Sequence, residues 1–161
     1  MAGKKVKHRK ILKRTGIVLA AIILLAVVFF FVYCNSLLWV DEQAKSYYTE
    51  LKEEVEKQGY ETAFFVLCGK RFELINNFLA KYGSAVKKST HLEGKAIDIL
   101  VLDVNNDGNI DGKDVDIVYQ ILDRKIVKDY GGIGTYKNQD WKFTRQMVHF
   151  DCREHRKRWH K

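Results

Sequence analysis

Proline is absent from this 161-residue chain, which excludes Pro-rich linkers and PxxP-type ligand segments. Cysteine is scarce. Cys34, Cys68 and Cys152 make an odd set of three, which supplies no neat disulfide framework. The two later thiols read either as separate buried groups or as one Cys68–Cys152 bridge. Acid is missing from residues 1–14, which hold seven Lys/Arg, and nearly missing from 153–161, where five Lys/Arg accompany one Glu. Together these ends exceed the whole net charge of +8, so the 138 residues between them carry −3. A basic balance confined to the tails argues against a nucleic-acid-binding core. At 47% apolar and 30% charged residues, the chain reads as globular, with room for one domain plus appendages.

Charge is also missing from residues 16–33. Eighteen residues at about 1.5 Å rise nearly span a hydrocarbon core, and Leu37 to Val40 can extend them. The cations lie before this stretch, and Asp41 and Glu42 follow it. The positive-inside rule then places 1–14 as a cytoplasmic tail, 15–36 as a transmembrane anchor and the rest outside the cytoplasmic membrane. A cleaved signal peptide is the alternative, but the stretch is long and ends in bulky residues. Tyr33 makes Cys34 a poor lipoprotein site.

Beyond the anchor, Asp41 reads as an N-cap. Ala44, Tyr47, Tyr48, Leu51 and Val55 then recur at helical spacing until Gly59, giving a juxtamembrane helix within 37–59. Residues 62–68 read as a buried strand. Phe72, Ile75, Phe78, Leu79 and Tyr82 mark a helix stopped by Gly83. Residues 96–102 read as a strand, and Val115, Val118, Ile121 and Leu122 as a helix. Gly131, Gly132 and Gly134 suggest a loop, and 145–152 a last strand. The predicted folded unit is 60–152, with α and β mixed and too few βαβ units for a doubly wound sheet. Residues 153–161, with Trp159, read as a solvated basic tail or as a contact for anionic lipid or wall polymer.

Only His91 and His149 fall inside that unit. Two His plus a carboxylate leave a fourth position for water, which is a catalytic zinc arrangement. Asp98 fits as the carboxylate, and Gly94 lets the chain turn between it and His91. Two unrelated histidines are the alternative.

The stretch Ser89-x-His91-x-x-Gly94-x-Ala96-x-Asp98 resembles the S-x-H-x-x-G-x-A-x-D signature of M15-type zinc peptidases. These include D-alanyl-D-alanine carboxypeptidases, VanX-like dipeptidases and L-alanyl-D-glutamate endolysins. Cys68-Gly69-Lys70-Arg71 with Asn76 resembles the family's S-G-Y-R…N stretch. Gly131-Gly132-Ile133-Gly134-x-Tyr136, leading to Val148-His149-Phe150-Asp151, resembles its G-G-I-G-Y-Y…V-H-V-D ending. The resemblance implies an α+β fold like the hedgehog domain: a small antiparallel sheet with flanking helices, here preceded by one transmembrane helix. It implies Zn²⁺ on His91, Asp98 and His149, with Arg71 binding a substrate carbonyl or carboxylate. The implied substrate is the peptidoglycan stem peptide.

The general base departs from the family. Gln146 stands where the dipeptidase and endolysin branches carry Glu, and Met147 where the carboxypeptidases carry His. Asp151 is the local substitute, as base or as the partner that orients His149; Glu93 is another candidate. A zinc- and calcium-stabilised wall-binding domain without peptidase activity is the alternative function.

Residues 103–114 follow an EF-hand register. Asp103, Asn105, Asp107, Asn109, Asp111 and Asp114 supply oxygens, Gly108 stands at position 6, and Ile110 at position 8 is apolar. A helix leaves the loop and a strand enters it, as in dockerin-like Ca²⁺ loops. The expected role is a structural clip; a polar turn is the alternative.

Overall fold

The computed structural model describes residues 15–29, 32, 37–82, 85–137 and 146–161. The chain divides into two compact units, Met1–Tyr33 and Cys34–Lys161. In the first, residues 15–29 form helix α1, with every side chain exposed. Among the described residues no helix is long and apolar enough to cross a membrane. The expected span 15–36 continues through residues 30–31 and 33–36, which lie outside the described residues, as do the basic segment 1–14 and Cys34.

The second unit starts with α2 (Glu42–Lys57). Asp41 caps it by accepting the Gln43 N–H at 2.9 Å, and Gly59, at φ +80°, stands just beyond its end. Ala44, Leu51 and Val55 are fully buried along one face. A buried leucine such as Leu51 stabilises by about 1.5–3 kcal/mol. Next come β1 (Phe64–Cys68), α3 (Glu73–Tyr82), a 3₁₀ turn (Thr90–Glu93) and β2 (Ala96–Val101). Helix α4 (Gly112–Ile121) runs into a π turn (Leu122–Ile126) and is followed by β3 (Gly132–Tyr136), β4 (Met147–Asp151) and β5 (Lys157–His160). The sheet order is β1-β2-β4-β3-β5.

Alternation gives the sheet two different faces. Ile97, Ile99, Val101, Ile133, Val148 and Phe150 pack with α2 and α4 into the core. Asp98, His149 and Gly134 lie on the other face, because Asp98 pairs with His149 and His149 with Gly134. Trp159 extends this row from β5, opposite Gly134. At its other end the β1–β2 register shifts between Val66 and Cys68. That bulge sets Cys68 opposite Asp98, whereas unbroken alternation would have turned it to the core with Phe64 and Val66.

Two expectations need correction. The glycine-rich stretch at 131–134 is no loop from Gly132 onward but strand β3. Its glycines fit because a Cβ on Gly132 would strike the Asp151 carboxylate, and one on Gly134 would land inside the Trp159 indole. The basic segment 153–161 is no solvated tail. Strand β5 pairs parallel with β3, so the sheet is not wholly antiparallel. Its cations have partners that the charge pattern alone did not reveal. Arg156 and Arg158 bind the Asp123 carboxylate at 2.9 and 2.6 Å, and Arg153 binds Asp151. Gly83 and residues 138–145 lie outside the described residues.

Candidate metal centre

The 3₁₀ turn carries His91. Ser89 caps it, and Gly94 closes it at φ +75°. A Cβ on Gly94 would press on the Trp39 carbonyl, so a side chain here meets both steric and conformational resistance. Strands β2 and β4 supply Asp98 and His149. The three side chains are almost fully enclosed, at 2, 7 and 8% exposure for His91, Asp98 and His149. His91 Nε2 lies 3.2 Å from His149 Nδ1 and 3.1 Å from Asp98 Oδ2, and His149 Nδ1 lies 2.7 Å from Asp98 Oδ1. Bonds of about 2.0–2.1 Å in a tetrahedral site put neighbouring donors about 3.3 Å apart. The spacing therefore fits a small divalent cation such as Zn²⁺.

The outer ring nitrogens fix which atoms face inward. His91 Nδ1 is 2.6 Å from the Gly69 carbonyl. A carbonyl only accepts, so Nδ1 carries the proton and Nε2 presents its lone pair to the site. His149 Nε2 is 3.1 Å from Asp151 Oδ2, and Arg153 keeps that carboxylate ionised through a hydrogen bond from Nε at 2.7 Å. Nε2 therefore donates, leaving Nδ1 to ligate. Carboxylate or carbonyl partners behind a ligand histidine are the usual support of a metal site.

Burial disfavours the charged form of His91, but the Asp98 carboxylate outweighs it and raises the pKa to about 9. His149 is raised to about 9 against the same desolvation, by its bonds to Asp151 and Asp98. Burial opposes ionisation of Asp98 too, yet the two histidines hold it well below the ordinary carboxylate range. Those inward lone pairs exist only in the neutral rings: without a metal both imidazoles carry a second proton at neutral pH, which ligation must displace. Zinc loading at neutral pH should therefore release protons, and apparent affinity should rise with pH up to about 9. Calorimetry in buffers of different ionisation enthalpy measures the release; identical heats would contradict it.

Arg71 reaches the centre from the β1–α3 connection. Its Nη2 is 3.5 Å from Asp98 Oδ2 and its Nη1 is 3.3 Å from Asn76 Oδ1. Asn76 is fully buried and donates to the Val86 and Lys87 carbonyls, which anchors it as a brace for Arg71.

Asp151 does not face the donors. It is fully buried behind His149, where it also accepts the Gly132 N–H at 2.9 Å. That position makes it an orienting partner for His149 rather than a proton acceptor at the metal face. Glu93 points away and pairs with Lys95 at 2.8 Å. Among the described residues no further carboxylate joins the donors.

Cys68 and Cys152 do not bond to each other. Cys152 lies beside the Asp41 carboxylate and the Lys95 carbonyl, and burial, followed by Asp41, pushes its thiol up to about 11. Cys68 instead joins His91 and Asp98 in a group of potential donors within 4.8 Å of one another. This set and the His91–Asp98–His149 set overlap in two residues. Trp159 closes the opposite side of the centre, with its ring 5.2 Å from that of His149 and its Nε1–H on the Tyr136 hydroxyl at 3.2 Å. Periodicity gave no hint of this wall, because Trp159 sat in a segment read as tail.

Loop 103–114 lies apart from these donors in its bonding. Asp103 accepts the N–H groups of Asp107 and Gly108, and Asp107 accepts that of Asn109. Asp114 is fully buried and accepts from Val104, Asn105 and Asp111. Asp111 accepts the Lys113 N–H and forms a capping box with Asp114 at the start of α4. Asn105 and Asn109 both turn to Asp107.

No protein-family model matches the chain, and no curated protein matches it. Among solved structures it is similar to the Serratia marcescens L-Ala D-Glu endopeptidase ChiX. The identity is 14% over 69% of this chain and 86% of that one, with a TM-score of 0.37.

Proposed function

We propose that this chain is a zinc metallopeptidase of the M15-like, hedgehog-like type, anchored in the cytoplasmic membrane and acting outside it on peptidoglycan stem peptides. The observation that carries the reading is the inward convergence of His91 Nε2, Asp98 and His149 Nδ1, each histidine fixed from behind. Those three residues would hold Zn²⁺, which supplies Lewis acidity and an activated water when bound. Arg71 offers its guanidinium to a carbonyl or carboxylate oxygen of the peptide. Asp151 holds the His149 ring in orientation. The burial of the donors limits the entry of bulk water. The anchor reading is supported by the uncharged stretch 16–33 and by the wholly exposed apolar side chains of α1.

Full-length protein in detergent, loaded with zinc, should cleave purified muropeptides, and mass spectrometry of the products identifies the bond. Intact muropeptides beside a zinc-loaded protein would favour the wall-binding alternative, which gains support from the lack of a further carboxylate among the described residues.

The finer reading of loop 103–114 as a Ca²⁺ clip is supported by its oxygen-bearing register and by the turns at Asn106 (φ 56°) and Gly108 (φ 83°). Binding to the folded state alone adds about 2.7 kcal/mol at one hundred times Kd. Millimolar calcium should therefore raise the melting temperature at fixed zinc, and Asp103→Ala or Asp107→Ala should abolish the rise. An equal effect of magnesium would leave the loop a polar turn.

A further inference from the structure

The bulge between Val66 and Cys68 turns one sulfur to the metal-facing side of the sheet. Cys68 is buried, stands in register with Asp98, and offers Sγ within 4.8 Å of donor atoms on both His91 and Asp98. Arg71 Nη2 lies 3.6 Å from the same Sγ, and the thiol reaches the Gly69 carbonyl at 3.6 Å, the same carbonyl that fixes the His91 ring. Thiolate binds zinc at about 2.3 Å, so in a tetrahedral site sulfur and nitrogen stand about 3.6 Å apart. Sγ lies no more than 4.8 Å from the His91 and Asp98 donors, so a shift of at most roughly an ångström gives it that spacing from them.

We propose that Cys68 is a fourth protein donor to the metal centre, closing a Cys68–His91–Asp98–His149 set that competes with water for the remaining coordination position. The inference rests on the reading of the site as a zinc centre. Ligation transfers the thiol proton to solvent and balances one charge of the cation, while Asp98 balances the other. A site with four protein donors is silent toward substrate, and one with three is open. Because water competes for that position, zinc-loaded protein keeps turnover, and displacing or modifying the sulfur raises it.

The test uses full-length protein in detergent, with Co²⁺ in place of Zn²⁺. Wild type should show a near-ultraviolet thiolate-to-cobalt charge-transfer band. Cys68→Ser should lose that band yet keep the visible cobalt bands, and Cys152→Ser should keep both. Visible cobalt bands without charge transfer in wild type would overturn the proposal and leave the metal centre standing. Failure to bind cobalt or zinc at all would overturn the metal centre itself. A second measurement covers a Cys68→Ser protein that does not fold. In wild type, zinc should slow iodoacetamide alkylation of Cys68 on the order of tenfold, read by peptide mass spectrometry, and leave Cys152 unprotected. Equal rates with and without zinc would count against ligation.

Discussion

His149→Ala protein, expressed with ample zinc, is expected to emerge without bound metal and without peptidase turnover. The substitution removes a donor that lies 2.7 Å from Asp98 and 3.2 Å from His91. It also leaves Asp98 and Asp151 without the imidazole between them. Loss of a mere supporting partner already costs 10–100-fold in metal affinity or activity, so loss of a ligand should exceed about 100-fold. His91→Ala should behave alike, whereas His155→Ala, at an exposed position, should keep full zinc. Elemental analysis gives the stoichiometry, and circular dichroism checks that the variants fold. Full zinc in both ligand variants would refute the centre.

Asp151→Asn separates orientation from proton transfer. Asp151 is fully buried and takes bonds from Gly132, His149 and Arg153. Breaking a buried ion pair costs about 3–5 kcal/mol. The amide also no longer obliges Nε2 of His149 to carry its proton. The expected result is a lower denaturation midpoint and a 10–100-fold weaker zinc affinity. A general base predicts otherwise: unchanged zinc and stability, with turnover down about 10²–10⁴-fold. Chelator competition and denaturant titration distinguish the two without an activity assay. Unchanged zinc affinity would return Asp151 to the role of base.

The elements that were legible in the sequence are those whose pattern has one physical meaning. The apolar spacing of Ala44, Leu51 and Val55 belongs to a half-buried helix, and Ile97, Ile99 and Val101 to a strand with one face in the core. The spacing of His91, Gly94 and Asp98 was legible too, because a turn and a strand must deliver donors from one short segment. The misread elements carry patterns with two meanings. Glycine usually marks turns, yet Gly132 and Gly134 leave room for Asp151 and Trp159. A run of cations usually faces solvent, yet Arg156 and Arg158 reach Asp123, far away in sequence. Neither fact is local. The bulge that redirects Cys68 leaves no hydrophobic signature, since Cys68 suits a core position equally well.

The centre draws its donors from elements of unequal rigidity. Asp98 and His149 ride on β2 and β4, which are hydrogen-bonded on both sides within the five-stranded sheet. His91 rides on a four-residue 3₁₀ turn, fastened by bonds such as that from the Arg71 N–H to its carbonyl and from its own ring to Gly69. Strands in the middle of a sheet open only at a free energy near that of global unfolding, whereas short turns open far more readily. Exchange of an ion held there would therefore follow the breathing of Thr90–Glu93, with its residence time set by that turn while the rest of the molecule stays folded.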